Sequence, residues 1–169
     1  DDVGAVQAAL DGLPEWDGDD LPESQVEALY QVATGEGLGS YIDPAPGCPS
    51  LGVGYPCFRE GSQPVVVLIT DAPFHNGPGG ANPYFGIEPR PHTFDEAIAA
   101  LQEVGIRVIG ISSGSEGLEG LVEVARQTGA VDSDGEALVM RRCSSGGAVL
   151  MRSGISVLIS VITPSSCLA

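Results

Sequence analysis

The chain has 169 residues, 43% of them hydrophobic, enough for one domain to bury a real core. It holds 23 Asp and Glu against seven Arg and no Lys, a formal net charge of −16, so it repels phosphate backbones and acidic membrane surfaces and attracts cations. Nucleic acid is thereby disfavoured as a partner, and the longest apolar run, around 155–162, is too short for insertion into a membrane.

Val3, Val6 and Leu10 follow Asp2 at helical spacing and predict a short amphipathic helix over 2–10. A turn-rich acidic loop, DGLPEWDGDDLPES, comes next. Val26, Leu29, Tyr30 and Ala33 then recur at i, i+3, i+4 and i+7, which predicts a helix over 22–34. Pro22 is expected in its first turn, where the missing N–H is no loss, and Trp16 as a staple against it. Residues 35–63 are rich in Gly and Pro, lack a sustained period and read as a long surface loop. PVVVLIT is a continuous apolar run of the kind found in strands covered on both faces.

Thr93 and Glu96 form a capping box, Phe94, Ile98 and Leu101 supply an apolar face, and Gly105 ends the predicted helix. IRVIGIS (106–112) is a second strand. Ser113 and Glu116 suggest another capping box, followed by a helical stripe of Leu118, Leu121, Val122 and Ala125 that closes near Gly129. EALVMR (136–141) is a third strand. Strand, helix, strand, helix, strand with right-handed crossovers implies a mainly parallel α/β sheet. In 148–162, Ile155, Leu158, Ile159 and Ile162 fit a helical stripe, whereas Val157, Val161 and the β-branching fit a strand; a closing helix is the expectation.

Four cysteines, Cys48, Cys57, Cys143 and Cys167, lack zinc-ligand spacing. An even count in such a chain suits disulfides in an oxidising compartment: extracellular, cell-surface or periplasmic. Of three possible pairings, Cys48–Cys57 with Cys143–Cys167 closes the shortest loops; four buried thiols are the alternative. His75, His92 and several serines could be assembled into a hydrolase, but no Gly-x-Ser-x-Gly elbow is present, and histidines in Gly- and Pro-rich loops are commonly solvent-facing or turn-bonding residues. The expectation is a protein that is not an enzyme.

Asp71 ends the first strand, at the edge where parallel α/β sheets collect ligands. Taken alone it reads as a turn cap. The second acidic loop, with Asp20, Pro22 and Glu23 at the mouth of a helix, changes that, because two acidic loops at one edge repel each other unless a cation lies between them.

DLPESQVEALYQVATG and VVVLITDAPFH together resemble the Asp-x-Pro-Glu loop and the Thr-Asp strand end of von Willebrand factor A domains, above all the A-like domain of integrin β subunits. EAIAALQEVGIRVIGIS and LEGLVEVARQTGA are similar to the next helix and strand units, so the resemblance spans roughly 2–141. It implies a doubly wound sheet with helices on both faces and a metal-ion-dependent adhesion site for Mg²⁺ or Ca²⁺. Glu23 and Asp71 would serve the principal metal, directly or through water, and Asp20 with the Pro22 carbonyl a neighbouring Ca²⁺. The partner would be a protein that offers a carboxylate to the metal. The family's Asp-x-Ser-x-Ser strand end occurs nowhere in the 169 residues. The resemblance therefore implies the C-terminal portion of a longer domain, whose missing strands come from elsewhere, including another chain or a second copy. A metal-independent structural or assembly protein is the alternative.

Overall fold

The computed structural model describes residues 2–13, 20–49, 51–141 and, as backbone alone, 156–158. The described elements are α1 (Val3–Asp11), α2 (Gln25–Thr34), β1 (Val65–Thr70), a single 3₁₀ turn (Pro78–Gly80), α3 (Phe94–Val104), β2 (Arg107–Ser112), α4 (Leu118–Gln127), β3 (Val139–Arg141) and β4 (Ser156–Leu158). The fold is α/β. β1 and β2 pair in parallel from Val65 opposite Arg107 to Thr70 opposite Ser112, and β3 joins β2 in parallel with Val139 opposite Gly110. The strand order is β3-β2-β1-β4.

β4 corrects the expectation of a closing helix where it can be compared. Ser156–Leu158 is a strand, antiparallel to β1, with Val157 opposite Leu68. β-branching decides here: a branched run beside an open strand gains ladder hydrogen bonds that a helix would not give that strand. The rest of 148–162, and with it Trp16, Cys143 and Cys167, lies outside the described residues.

The helices form for the reasons their sequences suggest, with two shifts in where they start. In α3 the Thr93 hydroxyl accepts from the Glu96 N–H and the Glu96 carboxylate from the Thr93 N–H at 2.7 Å. At its other end Gly105 takes the left-handed conformation, φ 75°. By contrast, α2 begins at Gln25 rather than 22, because the Glu23 N–H and C=O are engaged by the chain beyond β1 and cannot start a helix. Pro22 therefore lies outside the first turn. α4 is capped by Gly117 with no side-chain bond, not by Ser113, since 113–117 must first cross the turn at Asp71.

Val66 and Leu68 of β1 and Val108 of β2 share one face of the sheet and meet Val26, Leu29 and Ala33 of α2, Leu101 of α3 and Leu121 and Val124 of α4 in a single core. That α3 and α4 flank the same face follows from successive right-handed crossovers that advance in one direction. The opposite face carries Val65, Val67, Ile69, Ile109 and Ile111, of which Val67 is buried and the others half-buried. α1 buries none of its side chains, and Val3 is 82% exposed. Residues 35–49 and 51–63 are irregular, with short isolated bridges, and are cross-linked by the disulfide Cys48–Cys57.

Candidate functional site

The C-terminal edge of the sheet is where the acidic turns meet. The segment before α2 runs alongside the segment after β1: the Glu23 N–H donates to Pro73 O at 2.9 Å, and the His75 N–H donates to Glu23 O at 2.8 Å. These two bonds lock residues 20–24 onto residues 71–75. On the other side, the Ser113 N–H donates to Thr70 O at 3.1 Å, so the loop leaving β2 is tied to the end of β1. Gly114 and Gly117 let that loop lie against the Asp71 turn. A Cβ on Gly117 would stand 2.6 Å from Ala72 O, and one on Gly114 3.0 Å from Asp71 O.

Glu23 is half-buried among like charges. Its pKa is raised, first by burial, then by the carboxylates of Asp71 and Asp20, with His75 opposing. Glu23, Asp71 and Asp20 thus share one electrostatic neighbourhood, and Pro22 lies in the same turn. Asp71 is exposed. Asp20 is engaged: its Oδ2 lies 3.0 Å from His75 Nε2. Nδ1 of the same ring lies 2.8 Å from Asn82 O. A carbonyl and a carboxylate both accept, so each ring nitrogen of His75 faces an acceptor. The ring stacks on Tyr84 at 4.1 Å between centroids, and the Tyr84 hydroxyl bonds Ser24 Oγ. Burial raises the Tyr84 pKa.

Beneath the Asp71 turn lies Gln25, which is 0% exposed. Its Nε2 donates to Thr70 Oγ1 at 2.8 Å and to Ala72 O at 3.3 Å, the residues on either side of Asp71. Its Oε1 is buried and has no hydrogen-bond partner among the described residues. An orphaned buried acceptor costs roughly 1–3 kcal/mol.

The second histidine serves a different cluster. Glu27 is buried and accepts from the His92 N–H at 2.8 Å, from His92 Nδ1 at 3.0 Å and from Gln31 Nε2 at 2.7 Å. The His92 ring stacks on Tyr30, 3.4 Å between centroids, and the Tyr30 pKa is pushed up to about 12, chiefly by burial and by its bond to Glu36. This cluster clamps the start of α3 to α2. No serine is hydrogen-bonded to either histidine among the described residues.

Sequence reasoning singled out Asp20, Pro22, Glu23 and Asp71 as candidates, weighed His75 only for a hydrolase, and passed over Gln25 and Tyr84. The signal for His75 was its place four residues after Asp71, in the same turn. For Gln25 it was an amide at the start of a helix, next to the inward-facing Val26. Among the described residues no group of three or more His, Cys, Asp or Glu side chains is gathered closely enough to hold a metal ion. No described helix is long and apolar enough to cross a membrane. Comparison of the chain with protein-family models, curated proteins and solved structures finds no match in any of the three.

Proposed function

We propose that this chain is a divalent-cation-dependent protein-binding module of the von Willebrand factor A type, similar to the A-like domain of integrin β subunits, that works in an oxidising compartment. The observation that carries the proposal is Glu23, a half-buried carboxylate whose nearest charged neighbours include two more carboxylates, Asp71 and Asp20. A cation relieves that repulsion. The donors at this edge are oxygens, as Mg²⁺ and Ca²⁺ prefer. Glu23 and Asp71 would hold the principal ion, and Asp20 with the Pro22 carbonyl a neighbouring Ca²⁺. When bound, the ion would supply a coordination position for a carboxylate of a partner protein. The chain's own residues hold the two turns together through the Glu23, Pro73 and His75 backbone bonds. The Cys48–Cys57 disulfide supports the extracellular, cell-surface or periplasmic setting. A doubly wound sheet belongs to the same proposal; the parallel order β3-β2-β1 and the apolar second face support it.

The test is thermal unfolding with Mg²⁺ or Ca²⁺ against chelator. Saturating cation at about 100 times Kd raises stability by about 2.7 kcal/mol in the parent and leaves Asp71→Ala unmoved. A parent that melts at the same temperature in cation and in chelator refutes the proposal.

A metal-independent assembly protein is favoured by one observation, the His75–Asp20 contact, which already gives one carboxylate of the cluster a partner within the chain. Partner binding at this edge that ignores chelator would select that reading.

A further inference from the structure

Two apolar surfaces of the chain are left open, and each fits the other. The first is α1. Val3, Val6 and Leu10 fall on one stripe and are 82%, 54% and 36% exposed. Only Gln7 and Asp11 are polar within its nine residues. A helix this short does not persist in water on its own, so its stability has to come from packing, yet it buries none of its side chains. The second surface is the sheet face opposite the core. In-register pairing sets Val67 beside Ile109 and Ile69 beside Ile111, and extends the row to Met140 on β3, which is 49% exposed. Three strands about 4.8 Å apart, the longer two ~20 Å in length, make a surface that takes one helix of about 10 Å diameter and ~13.5 Å length.

We infer that the chain pairs with a second copy by exchanging α1: the Val3, Val6 and Leu10 stripe of each copy lies on the second sheet face of the other. The occupant is a second copy because every chain carries both halves of the contact, and α1, with no side chain buried, is not seated on its own sheet. Two-fold exchange satisfies both halves at once and closes, leaving no further surface to propagate from. Charge agrees with this arrangement. At a net charge of −16 each, two copies repel one another as whole molecules. On the second face, however, the one charged side chain among the described residues is Arg107, exposed at the start of β2, whereas α1 is capped by Asp2 and ends in Asp11. The contact therefore brings opposite charges together where it forms. It lies on the sheet face rather than at the acidic edge, so the inference goes beyond the cation reading and needs no ion.

The test is sedimentation velocity on the whole chain, with chelator present and at physiological ionic strength, where exposed charges more than about 8 Å apart are screened. The parent shows a monomer–dimer equilibrium that moves with concentration. Val6→Asp weakens it by about tenfold or more, since it puts a carboxylate into an apolar contact, and Arg107→Glu by about two- to fivefold. Neither disturbs the core, because α1 buries no side chain and Arg107 is exposed. The decisive measurement mixes two variants. Val6→Asp keeps an intact sheet face and Met140→Asp an intact α1, and each alone is monomeric at a concentration where the parent pairs. The mixture forms dimers, since one of its two contacts joins the intact halves. Pairing through any other surface gives no such recovery, and its absence overturns the inference. A parent that stays monomeric at every concentration overturns it too; slow amide exchange in α1 of that monomer would show the helix seated on its own sheet. Should Met140→Asp not fold, a Val6→Asp chain that dimerises like the parent overturns the inference on its own.

Discussion

Replacing Gly117 by alanine measures how closely the two loops at the sheet edge are pressed together. Gly117 sits at φ −81°, ψ −6°, an ordinary right-handed conformation, so a side chain there brings no backbone strain. On conformational grounds alone the substitution would stabilise the chain by about 0.4–1 kcal/mol, through a less flexible unfolded state. Against this, the new Cβ would stand 2.6 Å from Ala72 O and 3.0 Å from Thr70 Cγ2. Ala72 O is a backbone atom with its own bond from Gln25, so it cannot swing aside as a flexible side-chain tip could. Overpacking of this kind costs about 1–3 kcal/mol. The clash outweighs the entropy gain and leaves a net loss of about 1–2 kcal/mol, a fall in Tm of roughly 2–8 °C at this chain length. Differential scanning calorimetry with chelator present reads it directly. Backbone amide shifts supply the location, with the largest changes at 70–72 and 113–118. A Tm equal to or above the parent's would refute the reasoning, since it would mean the turn at Asp71 has slack and does not hold its carboxylate in place.

Glu23→Gln tests the electrostatics of the same edge. A carboxylate whose folded pKa is raised destabilises the fold above that pKa and not below the unfolded pKa, so the parent loses stability as pH rises through the interval between the two. Without cation, Glu23→Gln is therefore more stable than the parent at neutral pH, and the difference vanishes on acidification; screening at a half-exposed site keeps the gain to about 0.5–1 kcal/mol. Chemical denaturation at a series of pH values checks this, and a parent more stable than the variant at neutral pH in chelator contradicts it. Cys48→Ser opens a loop of sequence separation 9 and lowers stability by about 2–3 kcal/mol on the chain-entropy estimate. Hydrogen exchange then rises in 35–63 while β1 and β2 stay protected; equal loosening of loop and sheet would contradict the loop's independence.

The parallel sheet was legible because strands buried in α/β folds carry continuous apolar runs that need no long-range information to recognise. The Thr93–Glu96 capping box was equally local, two bonds closing over three residues. The misreadings all arose where distant residues decide. Pro22 and Glu23 have helix-start composition, yet Glu23 is held by Pro73 and His75, fifty residues on. Ser113 has the right neighbour for a capping box, yet the loop must first pass the Asp71 turn, which only Gly114 and Gly117 allow it to do closely. Ser156–Leu158 carries a mixed helix and strand signal that the open edge of β1 resolves. In the site, the acidic residues announced themselves through composition. His75 did not, because its partner Asp20 is separated from it by 55 positions.

The placement of the chain's positive groups bears on the proposed cation site. With seven Arg, no Lys and two His against 23 acidic residues, cationic side chains are scarce. Among the described residues Arg90 pairs with Glu96 and Arg126 with Glu136, while the His75 ring lies against Asp20 and the His92 ring against Glu27. Two of these contacts involve carboxylates on either side of Glu23 in sequence, Asp20 and Glu27, yet none includes Glu23 or Asp71. Glu96 is held by Arg90 well below the usual carboxylate range, at about 2, whereas Glu23 is shifted the opposite way. At Glu23 burial, Asp71 and Asp20 together outweigh the opposing effect of His75. A fold that needed only to keep these turns together would gain more from an arginine at this edge than from Asp71. Among the described residues no arginine pairs with Glu23 or Asp71, and the proposed ion would add the positive charge that His75 alone does not supply there.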